Sequence, residues 1–186
     1  MNLRSSCAAL CGAMLLAASA RAAPPHVHGV AALDVALDGH SLQLSIDSPL
    51  DNFVGFEHAP ANDKETQAIR AMAQRFSKAQ ELFAPSPAAG CVVKSVQLGS
   101  PVIDAKLLAA PGVAPLPPGA SHEEPGHADL DAQIEFRCER PGELRSLEAK
   151  ILGGVFPRLH GINVQAVTPQ RQFGAKLTAD SRTIVF

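Results

Sequence analysis

Apolar and polar residues alternate along two neighbouring stretches of the chain, residues 33–37 and 42–46. A period of two places every second side chain on the same face of a β-strand. Asp38-Gly39, between the two stretches, is a preferred two-residue hairpin turn. The pattern therefore predicts a β-hairpin in which Val35 pairs with Leu42 and Leu33 pairs with Leu44, with the alternating side chains on one sheet face.

A helix is predicted after this hairpin, from about residue 63 to residue 83. Apolar residues recur there at helical spacing, Asn62 can cap the N-terminus, and Pro85 stops the helix. Residues 52–58 before the helix are expected to be short and extended. Residues 91–98 after it are predicted to form a strand.

Residues 111–126 contain five prolines and three glycines. Such a stretch cannot form a helix or a central strand, so we expect a mobile loop over about residues 105–127. Strict alternation returns at residues 130–138 and predicts a strand whose last residue, Cys138, faces the core.

A second helix is predicted to begin at Pro141 and to end at Gly153-Gly154, with Leu144, Leu147 and Ile151 facing inward. Three antiparallel strands are then predicted to close the chain, at residues 162–167, 173–177 and 183–186. Strands and helices come in runs rather than in regular β-α-β alternation. The fold class is therefore predicted as α+β, with antiparallel β-sheets, two main helices and one Pro/Gly-rich loop.

The first 22 residues have the layout of a secretory signal peptide: Arg4 in a basic start, an apolar run over residues 7–18, and the cleavage site Ala20-Arg21-Ala22. The run is too short to cross a bilayer, which needs roughly 20 residues. Cleavage leaves 186 − 22 = 164 residues, which we expect to form one exported, monomeric α+β domain over residues 23–186 without membrane insertion.

Cleavage also changes the charge of the chain. It removes Arg4 and Arg21, so 14 basic residues face 18 acidic ones and the net charge moves from −2 to −4. We expect no nucleic-acid partner, because phosphate binding needs a basic patch.

The cysteine count falls from four to two when the leader leaves, and the two that stay are Cys91 and Cys138. Two cysteines in an exported chain are expected to form one disulfide. A bridge over 138 − 91 = 47 positions would stabilise the fold by at most about 4 kcal/mol on chain-entropy arithmetic. Two free buried thiols are the alternative.

Sequence signatures of common enzyme classes are absent: there is no G-x-S-x-G elbow, phosphate-binding loop or dinucleotide fingerprint. His122 and His127 flank two glutamates, as in a zincin helix. They are five residues apart, which places them about 140° apart around a helix, and the zincin motif needs a spacing of four. A zincin site is therefore excluded, and we expect no enzymatic activity.

All seven histidines remain after cleavage. Imidazole nitrogen and carboxylate oxygen can together complete a four-ligand zinc site without cysteine. His40 and His160 are expected to be ordinary surface residues. The candidate metal ligands come from three places: the mature N-terminus, the segment before the first predicted helix, and the Pro/Gly-rich loop. They are His26, His28, His58, His122 and His127, with Glu123 or Glu124 as an oxygen ligand.

Several short motifs in a fixed order resemble those of one protein family. The most specific is Gly55-Phe56-Glu57-His58-Ala59-Pro60, and the others support it mainly through their order. They include His26-Val27-His28-Gly29, Leu33-Asp34-Val35-Ala36-Leu37-Asp38-Gly39, Gly90-Cys91, Gly126-His127-Ala128-Asp129-Leu130, Phe136-Arg137-Cys138, Phe156-Pro157 and Thr168-Pro169-Gln170-Arg171-Gln172. With these motifs the mature chain resembles the periplasmic zinc-regulated, zinc-binding (ZrgA-like) proteins of Gram-negative bacteria.

This resemblance implies a periplasmic protein that binds Zn²⁺ and assists zinc uptake beside a zinc ABC importer. It also implies the Cys91–Cys138 disulfide. Family members usually carry a long run of His, Asp and Glu in the loop before the last Cys-bearing strand, and here that run is reduced to His122, Glu123, Glu124 and His127. The expectation is therefore one zinc site, and loss of zinc capacity is a second possibility.

Two other classes of function stay open at this point. One is an envelope protein-interaction or adaptor module with weak or no metal binding. The other, for which no motif argues, is a hydrolase with an unrecognised site.

Overall fold

The computed structural model describes residues 27–117 and 128–186. Ten strands lie within these ranges: β1 Val30–Asp38, β2 Ser41–Pro49, β3 Ala84–Pro85, β4 Cys91–Gly99, β5 Val113–Pro115, β6 Asp129–Cys138, β7 Ser146–Glu148, β8 Gly161–Val167, β9 Gln172–Thr178 and β10 Thr183–Val185. The α-helices of the same ranges are α1 Asp51–Val54, α2 Asp63–Phe76, α3 Ala79–Leu82 and α4 Ala105–Leu108. Short 3-10 turns occupy Pro87–Ala89, Pro141–Glu143 and Lys150–Leu152.

Seven strands form one sheet in the order β5-β4-β6-β2-β1-β8-β9, and three form a small sheet in the order β10-β7-β3. Most neighbours are antiparallel, while β1–β8 and β4–β5 are parallel pairs. The predicted α+β class with mainly antiparallel pairing is confirmed. One consequence of this order is that the start of β1, the end of β2 and the starts of β6 and β8 all lie at the same end of the large sheet, which we call the site end.

The predicted hairpin is present as β1 and β2, but its predicted register is wrong by two residues. Val35 pairs with Leu44 rather than with Leu42, and the two turn residues are Gly39 and His40. The reason lies in a third strand: the Cys138 N–H donates to the His40 carbonyl at 2.8 Å, and His40 Nδ1 donates to the Cys138 carbonyl at 2.7 Å. A shift of two preserves the face of every side chain, so the apolar positions are buried as predicted.

Helix α2 begins where it was predicted, with Asn62 as its cap. The Asn62 side chain accepts a hydrogen bond from the Glu65 N–H at 3.0 Å. The helix ends at Phe76, not at residue 83, and the short α3 follows after a turn in which Ser77 Oγ donates to the Gln74 carbonyl at 2.8 Å. The predicted extended segment over residues 52–58 is also wrong, since Asp51–Val54 is the single helical turn α1.

The second predicted helix is wrong. Residues 141–153 form two 3-10 turns on either side of strand β7. Leu144, Leu147 and Ile151 are buried as predicted, because a strand residue flanked by two turns can bury the same three positions as a helix face. Strand β10 pairs with β7 in the small sheet and does not extend the antiparallel pair β8–β9.

The segment predicted as a loop over about residues 105–127 lies partly outside the described residues, which omit 118–127. The described part contains helix α4 and strand β5. Strand β5 is an edge strand of three residues that ends in Pro115, which agrees with the rule that proline is tolerated only at sheet edges. In the part of the chain that is described, no helix is long and apolar enough to traverse a bilayer.

The Cys91–Cys138 disulfide is present and joins the first residue of β4 to the last residue of β6. It lies at the end of the large sheet opposite the site end. Strand β6 has ten residues, so the bridge is roughly 30 Å from the start of β6 at a rise of about 3.3 Å per residue. Neither sulfur is therefore available as a metal ligand.

Candidate metal centre

The site end is built around α1, the helical turn that follows β2. Phe53 of α1 packs edge-on against Phe76 of α2 and Phe156, with ring centroids 5.6 and 5.0 Å apart. Edge-to-face aromatic pairs at such distances add about 0.5–1.5 kcal/mol beyond the area they bury. This aromatic cluster fixes the direction in which the chain leaves α1, and the next residues are those of the Gly55–Pro60 motif.

Asn52, also in α1, ties this motif to the residues that precede β1. Its Oδ1 accepts the Gly29 N–H at 2.6 Å, and its Nδ2 donates to the Val30 carbonyl at 3.1 Å and to Ser48 Oγ at 2.9 Å. The side chain is only 1 % exposed. Three hydrogen bonds in a buried place hold the backbone beside His28 in one position relative to β2 and α1.

Gly29 itself fits closely against the residues that precede β8. Its φ is +82°, and a Cβ added there would lie 3.0 Å from His160 Cδ2. The Gly29 carbonyl accepts hydrogen bonds from the N–H groups of His160 and Gly161 at 2.8 and 3.0 Å. The positive φ favours glycine at this position, and a side chain there would also have to displace the His160 ring, which accounts for glycine in the motif His26-Val27-His28-Gly29.

A bidentate ion pair closes the same end of the molecule. The Arg158 guanidinium donates from Nε and Nη2 to the Asp51 carboxylate at 2.8–2.9 Å. Asp51 is 7 % exposed, whereas the Arg158 side chain is more than half exposed. The pair joins α1 to the segment before β8. Both of these also bond the residues at the start of β1, α1 through Asn52 and the segment before β8 through the His160 N–H.

His28 and Glu57 meet on this scaffold. His28 Nε2 lies 2.8 Å from Glu57 Oε1, and the side chains are 60 % and 30 % exposed. An imidazole nitrogen and a carboxylate oxygen are both ligands that zinc accepts, and both groups are open to solvent here. The pair therefore supplies two adjacent donors on a rigid base.

His58 points to a different partner. Its Nδ1 donates to the Ala59 carbonyl at 2.8 Å and lies 3.9 Å from Glu65 Oε2, at the N-terminus of α2. Its ring lies against Phe56, with centroids 5.0 Å apart. Within residues 27–117 and 128–186, no three His, Cys, Asp or Glu side chains converge to hold a metal ion. The described chain thus offers two His–carboxylate pairs rather than one completed cluster.

Of the predicted ligands, His28 and His58 lie at the site end. His26, His122, Glu123, Glu124 and His127 lie outside the described residues. The described chain resumes at Ala128, whose carbonyl accepts the Leu50 N–H at 2.9 Å, directly before α1. The polypeptide therefore re-enters the fold beside the turn that carries Asn52 and leads to Glu57.

Sequence reasoning did not propose Glu57 or Glu65 as possible oxygen donors. Glu57 stands inside the most specific motif, directly before His58, so its type and place were visible. Its pairing with His28 was not visible, because it depends on β1 and α1 meeting at one end of the sheet. His40, predicted to be an ordinary surface residue, has a structural hydrogen bond to Cys138 at the opposite end.

The structure is an α+β domain that presents two His–carboxylate pairs at one end of a mixed sheet. The model of a family described as "ZrgA family zinc uptake protein" matches residues 25–186. The chain belongs to this family, and the family resemblance inferred from its motifs is confirmed. Among curated proteins, none matches this sequence.

Proposed function

We propose that the chain is a periplasmic zinc-binding protein that captures Zn²⁺ and hands it on to a zinc ABC importer, without a catalytic step of its own. The family match over residues 25–186 carries the zinc part of this proposal. The signal-peptide layout of residues 1–22 supports export to the periplasm.

The proposed site is centred on His28 and Glu57. Both groups are solvent-accessible and 2.8 Å apart, so an incoming ion can replace their mutual hydrogen bond by two metal bonds. Zinc in proteins usually takes four ligands. The remaining ligands are proposed to come from the other candidates, which are His26, His58, His122, His127 and Glu123 or Glu124.

A competition titration tests zinc capture directly. The mature chain, residues 23–186, is titrated with Zn²⁺ against a chromophoric chelator. His28→Ala and Glu57→Gln are each expected to weaken binding at least tenfold, since each removes one donor. His40→Ala is the matched control, because it removes an imidazole at the opposite end of the sheet and is expected to leave zinc affinity unchanged.

The loop ligands are tested by a variant in which His122, Glu123, Glu124 and His127 are all replaced by serine. Equal loss in this variant and in His28→Ala places the two groups in one site. A mature chain that binds zinc more weakly than about 100 µM, roughly −5.5 kcal/mol, contradicts zinc capture. That result would favour the adaptor function, in which the domain recognises an envelope partner without metal.

The importer part of the proposal needs a cellular measurement. A strain lacking this protein is expected to grow poorly in medium depleted of zinc by a chelator, and added zinc should restore growth. Complementation by the wild-type gene but not by the His28→Ala variant would link the phenotype to zinc capture. Equal growth of all strains under depletion would contradict a role in uptake.

A further inference from the structure

The two edges of the seven-stranded sheet differ in how they are protected. Strand β5 has three residues and ends in Pro115, and only Gly112 separates it from Pro111. Because proline lacks a backbone N–H, a short edge strand with proline resists pairing with a further strand. Strand β9 has seven residues, contains no proline, and pairs with β8 without a register shift. Of the features that usually prevent edge-to-edge pairing, β9 lacks proline, a bulge and a very short length, and Lys176 is its one charged residue.

The hydrogen bonds around β9 show which of its backbone groups face outward. Gly161 and Thr178 are cross-strand partners. Their N–H groups donate elsewhere, to the Gly29 and Ser181 carbonyls, so they form a non-hydrogen-bonded pair. Because direction alternates along a strand, the N–H and C=O groups of Gln172, Gly174 and Lys176 also point away from β8. Across the described ranges, none of these outward groups of the three residues has a hydrogen-bond partner.

We propose that β9 pairs with β9 of a second copy of this chain, antiparallel and centred on Ala175. In that register Gly174 faces Lys176 of the other copy and exchanges two hydrogen bonds with it. The twofold axis repeats this pair, which gives four hydrogen bonds in all. The proposal stands independently of zinc binding.

The side chains of β9 fit this register. Phe173 faces Leu177 of the other copy on the core side of the sheet, where both contribute to the apolar core. Each Lys176 lies opposite a glycine. A register centred on Lys176 would place the two ammonium groups opposite each other, which is destabilising. A register centred on Gly174 would leave the strand residues Leu177 and Thr178 without strand partners.

The expected association is weak. A strand of seven residues spans about 23 Å, and a contact of one strand with one strand falls below the standard interface area of about 1,600 Å². The dimer should therefore form with increasing concentration rather than persist on dilution. This differs from the monomer expected from the sequence, and the same measurement decides between them.

Sedimentation equilibrium of the mature chain at concentrations up to about 1 mM, where a dimer with a millimolar dissociation constant is populated, is the first test. The wild-type chain is expected to shift towards a dimer. Gly174→Pro removes an outward N–H that β8 does not use, and is expected to abolish the shift while circular dichroism stays unchanged. Lys176→Ala is the matched control, because it keeps the backbone hydrogen bonds and should still associate. A wild-type chain that stays monomeric throughout overturns the proposal.

Disulfide trapping tests the register even if Gly174→Pro fails to fold. Cys91 and Cys138 are already bonded to each other, so an introduced cysteine is the only free thiol of the mature chain. Ala175→Cys is expected to form a covalent dimer under mild oxidation, seen on a non-reducing gel. Gly174→Cys and Lys176→Cys should form much less, because each would face a different residue of the other copy. Preferential trapping of either of these two variants would overturn the pairing centred on Ala175.

Discussion

Asn52 is the residue through which three pieces of the chain meet: the segment before β1, the end of β2 and helix α1. Its amide accepts from Gly29 and donates to Val30 and Ser48, and it is buried. A buried amide with all of these partners fixes one arrangement of the backbone, because every alternative leaves a polar group unsatisfied. The His28–Glu57 pair is positioned by this arrangement.

Asn52→Ala should destabilise the fold by about 2–3 kcal/mol, since it leaves the buried Gly29 N–H without its acceptor. Urea unfolding followed by circular dichroism measures this loss. Gln43→Ala, at an exposed position of β2, is the control and should change the free energy of unfolding by less than about 0.5 kcal/mol. Equal effects of the two substitutions would show that the Asn52 hydrogen bonds do not hold the site end together.

Zinc affinity should depend on pH in the direction set by imidazole chemistry. Only neutral imidazole binds the metal, and an unperturbed histidine has a pKa of about 6.5. Below that pH, affinity should fall by about tenfold per pH unit for each histidine that coordinates. Competition titrations between pH 5 and pH 8 give the slope and therefore the number of histidine ligands. A flat profile would exclude histidine from the site.

Among the elements, the strands could be predicted from the sequence better than the helices. Period-two alternation predicted β1, β2 and β6, because burial of one sheet face imposes the pattern directly. The helix expected after Pro141 was wrong because three apolar residues at spacings of three and four do not distinguish a helix from a strand between two turns. The hairpin register could not be predicted, since it depends on the contact between His40 and Cys138, 98 residues apart.

The candidate site was also predictable only in part, because it too depends on contacts between residues that are distant in the sequence. His28 and His58 were identified from residue type and motif. The pairing of His28 with Glu57 depends on the position of α1 and on the parallel contact of β1 with β8, and neither has a local signal. Local sequence patterns indicate the secondary structure that a residue favours, whereas a site depends on which distant segments meet in the folded chain.

Helix α2 should depend measurably on its cap. Asn62 accepts from the Glu65 N–H, while Glu65 accepts from the Ala61 N–H at 2.7 Å, so the two side chains cap reciprocally. Asn62→Ala should cost about 1 kcal/mol in the free energy of unfolding. Gln67→Ala, exposed within the same helix, is the control and should be neutral or slightly stabilising. The prediction fails if both variants unfold at the same urea concentration.

At the scale of the whole molecule, the length of the large sheet separates the proposed zinc site from the disulfide. The donor pairs lie at the site end, and the disulfide lies at the other end. Stability contributed by the bridge should therefore be separable from metal binding. In this arrangement the proposed ligands His28 and Glu57 stay exposed to solvent, while the disulfide stabilises the fold at the other end of the sheet.

Cys91→Ala combined with Cys138→Ala should lower the free energy of unfolding by up to about 4 kcal/mol. Zinc affinity of the folded variant should stay within about twofold of the wild-type value, because the removed sulfurs lie roughly 30 Å from the site end. Guanidinium unfolding and the chelator competition measure the two quantities on one sample. A parallel loss of zinc affinity would show that the two ends of the sheet are coupled.

The disulfide also makes residues 91–138 a closed covalent ring, and residues 118–127 belong to that ring. A protease cut anywhere among these ten positions opens the ring but releases no fragment. Such a nicked protein should run at full mass on a non-reducing gel and split into two chains only after reduction. The disulfide therefore keeps β5 and β6 covalently attached whatever the length or composition of the segment between them, and a protease cannot separate the two strands by a single cut there.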